Sequence, residues 1–269
     1  MTANLTQKAE SATIGAINRL YDDRMYERLI DEYYGGSGFL NFGYWDESTC
    51  NAREASERLM EKLLALMNLK PGSVLDVACG TGGTTQYLLK FYQPGNVVGI
   101  NISEKQLHTC RDKLAPCAFL KMDAAHLGFA GESFDNIICV EAAFHFHTRE
   151  RFLGEAYRVL KPGGVLLLTD VLISPVNLEQ RPHWHEKNLV TDPQDYAAIC
   201  RKAGFSRVEI VDATKECWHG GFWSVIRFAH EKFLWGIINL EELNAFLERI
   251  YRLAEDLEHY LLVAALKPA

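Results

Sequence analysis

Two stretches of this 269-residue chain carry side chains that could do chemistry. Val140-Glu141-Ala142-Ala143-Phe144-His145-Phe146-His147 places one carboxylate and two imidazoles at the end of an apolar run. Imidazole is the natural proton acceptor at neutral pH, so His145 and His147 are both candidate general bases. His147 could equally be a helix N-terminal residue or part of a substrate wall. Upstream, Val74-Leu75-Asp76-Val77-Ala78 is a short apolar run that ends in Gly80-Thr81-Gly82-Gly83 and enters a helix-like pattern from Thr84 to Phe91. A buried strand, a tight glycine turn and a helix N-terminus leave backbone N–H groups around a concave space. A side chain at those glycines would hold a ligand away from the main chain. Asp76, an acid inside the strand, suits a ligand with an amino group or cationic centre near the turn.

Such residues act together only if a sheet presents them at one end. Strands are expected at 74–78, 97–101, 118–121, 136–140 and 165–170, alternating with helical periodicity over 84–91, 104–114 and 148–160. That alternation implies a parallel sheet with right-handed crossovers and a ligand crevice outside the strand ends. The first strand presents Ala78, Cys79, Gly80 and Gly82. The second ends in Ile100-Asn101-Ile102-Ser103, where the Asn101 amide can both donate to and accept from a diol. The third runs into Met122-Asp123-Ala124, with Asp123 either a ligand contact or a cap for the next turn. The turn is not a dinucleotide fingerprint, because the position for the third glycine is Thr85.

Around this core, residues 3–34 and 53–69 read as amphipathic helices. Tyr21, Tyr26, Tyr33 and Tyr34 are dense for a plain surface helix. The aromatic run Phe39 to Trp45 has little polar cover and should fold over something apolar. Residues 171–191, with His183-Trp184-His185, are expected as an insertion over the site. A helix is expected at 193–204 and a strand at 208–211. Residues 216–258 are mostly helical and rich in aromatics, Trp223 among them, and 260–266 is a final strand. Both aromatic segments are candidate acceptor-binding walls, through Trp184 and Trp223, with His147 a third candidate at the end of the fourth strand.

Composition narrows the function classes. The net charge of −7 and pI near 5.7 argue against broad nucleic-acid contact. No apolar run reaches membrane-spanning length, residues 1–16 lack a signal-peptide core, and the scattered cysteines form no C-x-x-C pair. A cytoplasmic protein with reduced thiols, no membrane partner and a small-molecule substrate is expected. The histidines show no metal-ligand spacing, so no metal is expected.

The glycine turn with its strand acid resembles motif I of the class I S-adenosylmethionine (AdoMet) methyltransferases. Lys161-Pro162-Gly163-Gly164 and the Glu141–Phe146 segment resemble that family too, over about residues 20–175. The opening Asn41-Phe42-Gly43-Tyr44-Trp45 and Val140–Phe146 are most similar to natural-product O-methyltransferases, macrolide-sugar and cyanobacterial microcystin-type enzymes included. The resemblance implies an α/β Rossmann-like fold: a seven-stranded, mostly parallel sheet with an antiparallel last strand between the fifth and sixth. It implies a lid over 1–70, an AdoMet-binding core of 71–175, 192–215 and 259–269, and substrate-cap insertions at 171–191 and 216–258. Carried over residue by residue, it puts Tyr44, Asp76, Ala78, Gly80, Gly82, Asn101, Ile102, Gln106, Asp123, Ala124 and Glu141 around AdoMet. Asp123 would accept from the adenine amino group and the Ala124 N–H would serve a ring nitrogen. Where most of the family has a ribose-binding acid, this chain has Asn101. The resemblance makes His145 the base for a hydroxyl acceptor and Asp170 the acid that orients it. A carbon-methylating enzyme with a terpenoid or sterol-like acceptor, and a non-catalytic AdoMet-fold binding protein, are the alternatives.

Overall fold

The computed structural model describes residues 2–175, 186–254 and 257–269, with side chains in the first helix from Thr13 onward. Seven strands form one sheet: β1 (Val74–Val77), β2 (Val97–Asn101), β3 (Ala118–Lys121), β4 (Phe134–Val140), β5 (Leu160–Ile173), β6 (Arg207–Asp212) and β7 (Leu257–Leu266). Their spatial order is β3-β2-β1-β4-β5-β7-β6. The first five pair in parallel, and β7 runs antiparallel to both β5 and β6. The order reverses between β1 and β4, and the two strand ends that diverge there open a crevice.

Helices flank the sheet on both faces, so its inner strands are apolar on alternate residues in both directions. In β7, Tyr260, Leu262 and Ala264 enter one core with α3 (Ala52–Ala65), α4 (Gly83–Leu88) and α5 (Glu104–Lys113). Leu261, Val263 and Ala265 enter the other with α6 (Arg149–Val159) and α7 (Pro193–Lys202). The same parity sends Val74 and Asp76 of β1 toward α4, and Leu75 and Val77 toward α6. Polar side chains start these helices by accepting from orphan backbone N–H groups: Asn51 for α3, Ser103 for α5, Thr148 for α6 and Asp192 for α7. The edge strand β3 is short and buries only Phe119, as an unpaired edge requires.

The expected N-terminal helix divides into α1 (Thr2–Arg24) and α2 (Arg28–Tyr33). Beyond β6, a π-helical turn (Thr214–His219) leads into α8 (Gly220–Leu234) and α9 (Leu240–Ala254). These two build a small core of Ala229, Ile238, Leu243 and Phe246, joined by Leu29 and Ile30 of α2. Lys232 of α8 is buried and reaches Glu32 of α2 at 2.6 Å. No helix among the described residues is long and apolar enough to cross a membrane.

Candidate active site

The turn after β1 is built by backbone conformations that side chains resist. Ala78 has φ +58° and Gly80 φ +55°, both left-handed, a region costly for residues with a Cβ. The Cys79 N–H donates to the Ile100 carbonyl at 3.0 Å, which pins the turn to β2. A Cβ on Gly80 would lie 2.5 Å from Met25 Cε, so that glycine makes room for the end of α1. Gly82 has a different task. At φ +95° it starts α4, and a Cβ there would meet Leu114 Cδ1 at 2.7 Å, so it packs against the α5 region outside the crevice.

Asp76 also departs from the sequence reading. Strand parity points it at α4, where it accepts from Thr85 Oγ1 at 2.5 Å. Desolvation in that fully buried position pushes its carboxyl up to about 7, with the Thr85 bond opposing. The acid and the threonine that replaces the third glycine therefore fasten α4 to β1, and Asp76 does not border the cavity.

Above the strand ends lies a cavity that opens to solvent, with about 880 Å³ of empty space when the open mouth is included. Ala78, Gly80, Asn101, Ile102 and Gln106 line it at the first two strand ends. Asp123 and Ala124 line it at the third, and Glu141, His145 and His147 at the fourth. Asp123 also accepts from the Ala125 N–H at 2.9 Å, so it caps its own turn while facing the cavity. The Asn101 amide is fully engaged inside the protein. Its Oδ1 accepts from the Ile102 and Ser103 N–H groups at 2.7 and 3.4 Å, and its Nδ2 donates to Gln106 Oε1 at 2.8 Å and the Gly80 carbonyl at 3.4 Å.

The end of β4 carries the titratable groups. Glu141 has φ +49° and its N–H donates to Thr169 Oγ1 at 3.0 Å. Its carboxylate accepts from the Phe42 N–H at 2.7 Å and from the Tyr260 hydroxyl at 2.5 Å. Desolvation pushes this carboxyl up to about 8 against both hydrogen bonds. Four residues on, a short 3-10 turn (Ala143–His145) presents His145, whose Nε2 lies 2.8 Å from the Tyr21 hydroxyl of α1. The two rings meet edge to face at 5.3 Å. Burial pushes the Tyr21 phenol up to about 12, so it stays protonated at neutral pH.

Three further expectations are corrected. Asp170 makes no hydrogen bond to His145; strand parity turns it toward α6 and α7, where it meets the guanidinium of Arg149 at 2.6 Å and the Tyr196 hydroxyl at 2.7 Å. Arg149 starts α6 directly after the histidine segment, and its N–H donates to Asn188 Oδ1 at 2.8 Å. Asn188 in turn donates to the Phe144 and Phe146 carbonyls at 3.3 and 2.6 Å. Asp170 thus holds the framework on which His145 is carried. Tyr44 lies outside the cavity wall, its ring 5.0 Å from Lys62 Nζ on α3. The strap reaches the cavity through Leu40 instead, while Phe42 packs on Trp218 and Tyr260. Trp223 is 62% exposed on the outer side of α8 and does not line the cavity. Trp184 lies outside the described residues.

The expected lid over 1–70 did not say which of its residues face the site. Ile14, Ile17, Asn18 and Tyr21 of α1, with Met25 just beyond its end, all line the cavity. The unusual tyrosine density was the available signal, and Tyr21 is the residue it marked. Asn18 Oδ1 is buried there with no hydrogen-bond partner. The positive-φ turn, the roof and an unmatched acceptor fit a ligand that is both apolar and rich in N–H and O–H donors. An adenine amino group, ribose hydroxyls and an ammonium provide such donors. Among the described residues no three His, Cys, Asp or Glu side chains converge as a metal site.

Residues 75–168 match the model of a methyltransferase domain family. The 27-O-demethylrifamycin SV methyltransferase of Amycolatopsis mediterranei (strain S699) is 31% identical over 225 residues, 77% of this chain and 80% of that protein. The sterol 24-C-methyltransferase erg6 of Schizosaccharomyces pombe (strain 972) is 36% identical over 149 residues, 52% of this chain and 39% of that protein. Among solved structures, the [4+2]-cyclase SpnF superposes with TM-score 0.73 at 23% identity, covering 94% of this chain and 96% of that one. At that identity the match speaks for the fold alone. The strand order and the turn after β1 agree with an extended match to a sequence relative, and the chain belongs to the class I AdoMet-dependent methyltransferases, in the group that contains natural-product O-methyltransferases.

Proposed function

We propose that this methyltransferase transfers its methyl group to a hydroxyl of a small or medium natural product, a polyketide, peptide or sugar moiety, with His145 as general base. The observation that carries this reading is the hydroxyl already seated on His145 Nε2, that of Tyr21 at 2.8 Å inside the cavity. With the phenol as donor, Nε2 is a bare imidazole nitrogen, which is the tautomer a general base needs. In the working complex the acceptor hydroxyl takes Tyr21's place on Nε2. AdoMet, when bound, supplies an electrophilic methyl on a sulfonium. The protein aligns the acceptor for in-line displacement, excludes water beneath α1, and removes the acceptor proton to His145. The products are the methyl ether and S-adenosylhomocysteine, with the proton on the imidazole. Ala78, Gly80, Asn101, Ile102, Gln106, Asp123 and Ala124 form the nucleoside side of the site. Glu141 and His147 border the acceptor side, with α1, α2 and the 39–45 strap as the lid.

His145→Ala is expected to lower kcat by roughly 10²–10⁴-fold while leaving S-adenosylhomocysteine affinity nearly unchanged. Turnover close to wild type at saturating acceptor would sink the assignment. Carbon methylation is the second reading, favoured by the sterol-methylating relative and by the apolar roof of Ile14, Ile17 and Leu40. Transfer of ¹³C-methyl from labelled AdoMet into a cell extract separates the two, because O-methyl and C-methyl carbons resonate far apart.

A further inference from the structure

The second strand end lacks the acid that would read a ribose, and the amide in its place has no hydrogen-bonding capacity left over. An unmatched acceptor comes from α1. Asn18 and Asp22 are one turn apart and so share a helix face. Asp22 Oδ1 accepts from Ser103 Oγ at 2.6 Å and from Gln106 Nε2 at 2.8 Å, which seats this face directly over the end of β2. Asn18 lines the cavity, and its Oδ1 is buried without a hydrogen-bond partner. Native proteins seldom leave a buried acceptor unmatched unless something else supplies the donor. A ligand at the end of β2 that presents O–H groups would do so.

We infer that Asn18 is a cofactor-contacting residue, accepting a hydrogen bond from a ribose hydroxyl of AdoMet, and that Asp22 is the positioning residue that fixes α1 in register for that contact. Ribose recognition in this chain is thereby moved from the sheet to the lid helix. Two consequences are built in. A cofactor without the hydroxyl leaves Asn18 unmatched, and a lid displaced from Ser103 and Gln106 loses the contact altogether. The inference rests on AdoMet binding and is independent of His145 and of the acceptor atom, so its failure leaves the O-methylation reading where it stands.

The test is calorimetric binding of S-adenosylhomocysteine and of its 2′-deoxy and 3′-deoxy analogues to the full-length wild type, Asn18→Ala and Asp22→Asn. Alanine is a better helix former than asparagine, so the first variant is expected to fold. Wild type should bind one deoxy analogue about 5–10-fold more weakly than S-adenosylhomocysteine, the scale of one ligand hydrogen bond. Asn18→Ala should weaken S-adenosylhomocysteine by a similar factor and abolish the discrimination between it and that analogue. Asp22→Asn should weaken the intact ligand and shrink the discrimination. A purely structural role would weaken all three ligands equally. That outcome, or unchanged binding by Asn18→Ala, would overturn the proposal.

Discussion

Glu141 sits with its backbone in the left-handed region and its carboxyl pushed up to about 8 by burial, between the Phe42 N–H and the Tyr260 hydroxyl. A carboxyl whose folded-state pKa lies above its unfolded value keeps its proton longer in the native state. Its contribution to stability is therefore fully present below the unfolded value of 4.5 and is lost as pH rises toward about 8. Within that window the slope for one such group is at most about 1.4 kcal/mol per pH unit. Glu141→Gln removes the titration and retains an acceptor for Phe42. Urea unfolding of the ligand-free proteins should show the variant gaining on wild type as pH rises from 5 to 8; parallel profiles would refute the assignment. Asp76, raised to about 7, adds a slope of the same sign that both proteins share.

At the scale of elements, the histidine segment is held from behind. Asp170 on β5, Arg149 at the start of α6 and Tyr196 on α7 form a buried charged cluster, with the ion-paired side chains 2% and 0% exposed. Breaking one partner of such a pair leaves an uncompensated buried charge, at a cost of about 3–5 kcal/mol. Asp170→Asn should therefore show its main effect in thermal and urea unfolding. A kcat loss at undiminished stability would instead restore Asp170 to direct control of His145. The strap offers a second test. A Cβ on Gly83 would lie 2.6 Å from the Phe39 nitrogen and 2.7 Å from the Gly38 carbonyl carbon. Backbone there cannot swing aside as a side-chain tip can, so Gly83→Ala should cost on the order of 1–3 kcal/mol and loosen the strap, read as faster proteolysis of residues 36–46.

Taken as a whole, the molecule is a two-faced sheet with a roof that the cores do not claim. Among the described residues neither sheet core includes one of α1; Tyr21 ties that helix to His145, Asp22 ties it to Ser103 and Gln106, and Met25 just beyond its end lies over Gly80. An element that roofs a ligand cavity opens locally at low free energy, and a ligand beneath it shifts that equilibrium. Hydrogen exchange should slow on S-adenosylhomocysteine binding most strongly over residues 13–25. The amides of β1 and β4, protected in both states, should barely change. Uniform protection across the chain would contradict a separate roof.

By itself the sequence determined the sheet and where its ligand crevice opens. The continuous apolar runs of β1, β4 and β5 and the glycine turn are local signals, and parallel strands separated by helices allow few arrangements. It also placed Gly80, Asn101, Asp123, Glu141 and His145 at strand ends, because a strand end is legible from where an apolar run stops. Only the tertiary structure decided which way side chains face there. Asp76 and Asp170 lie within or at strands whose final register turns them away from the cavity, toward Thr85 and Arg149, where a hydroxyl and a guanidinium satisfy them. Nor could local pattern reveal which residues of the expected lid face the site. The spacing of Ile14, Ile17, Tyr21 and Met25 reads as any buried helix face, and the contact that gives Tyr21 meaning joins residues 124 positions apart. Such a contact is fixed by how α1 packs over the finished sheet, and no short window of sequence contains it.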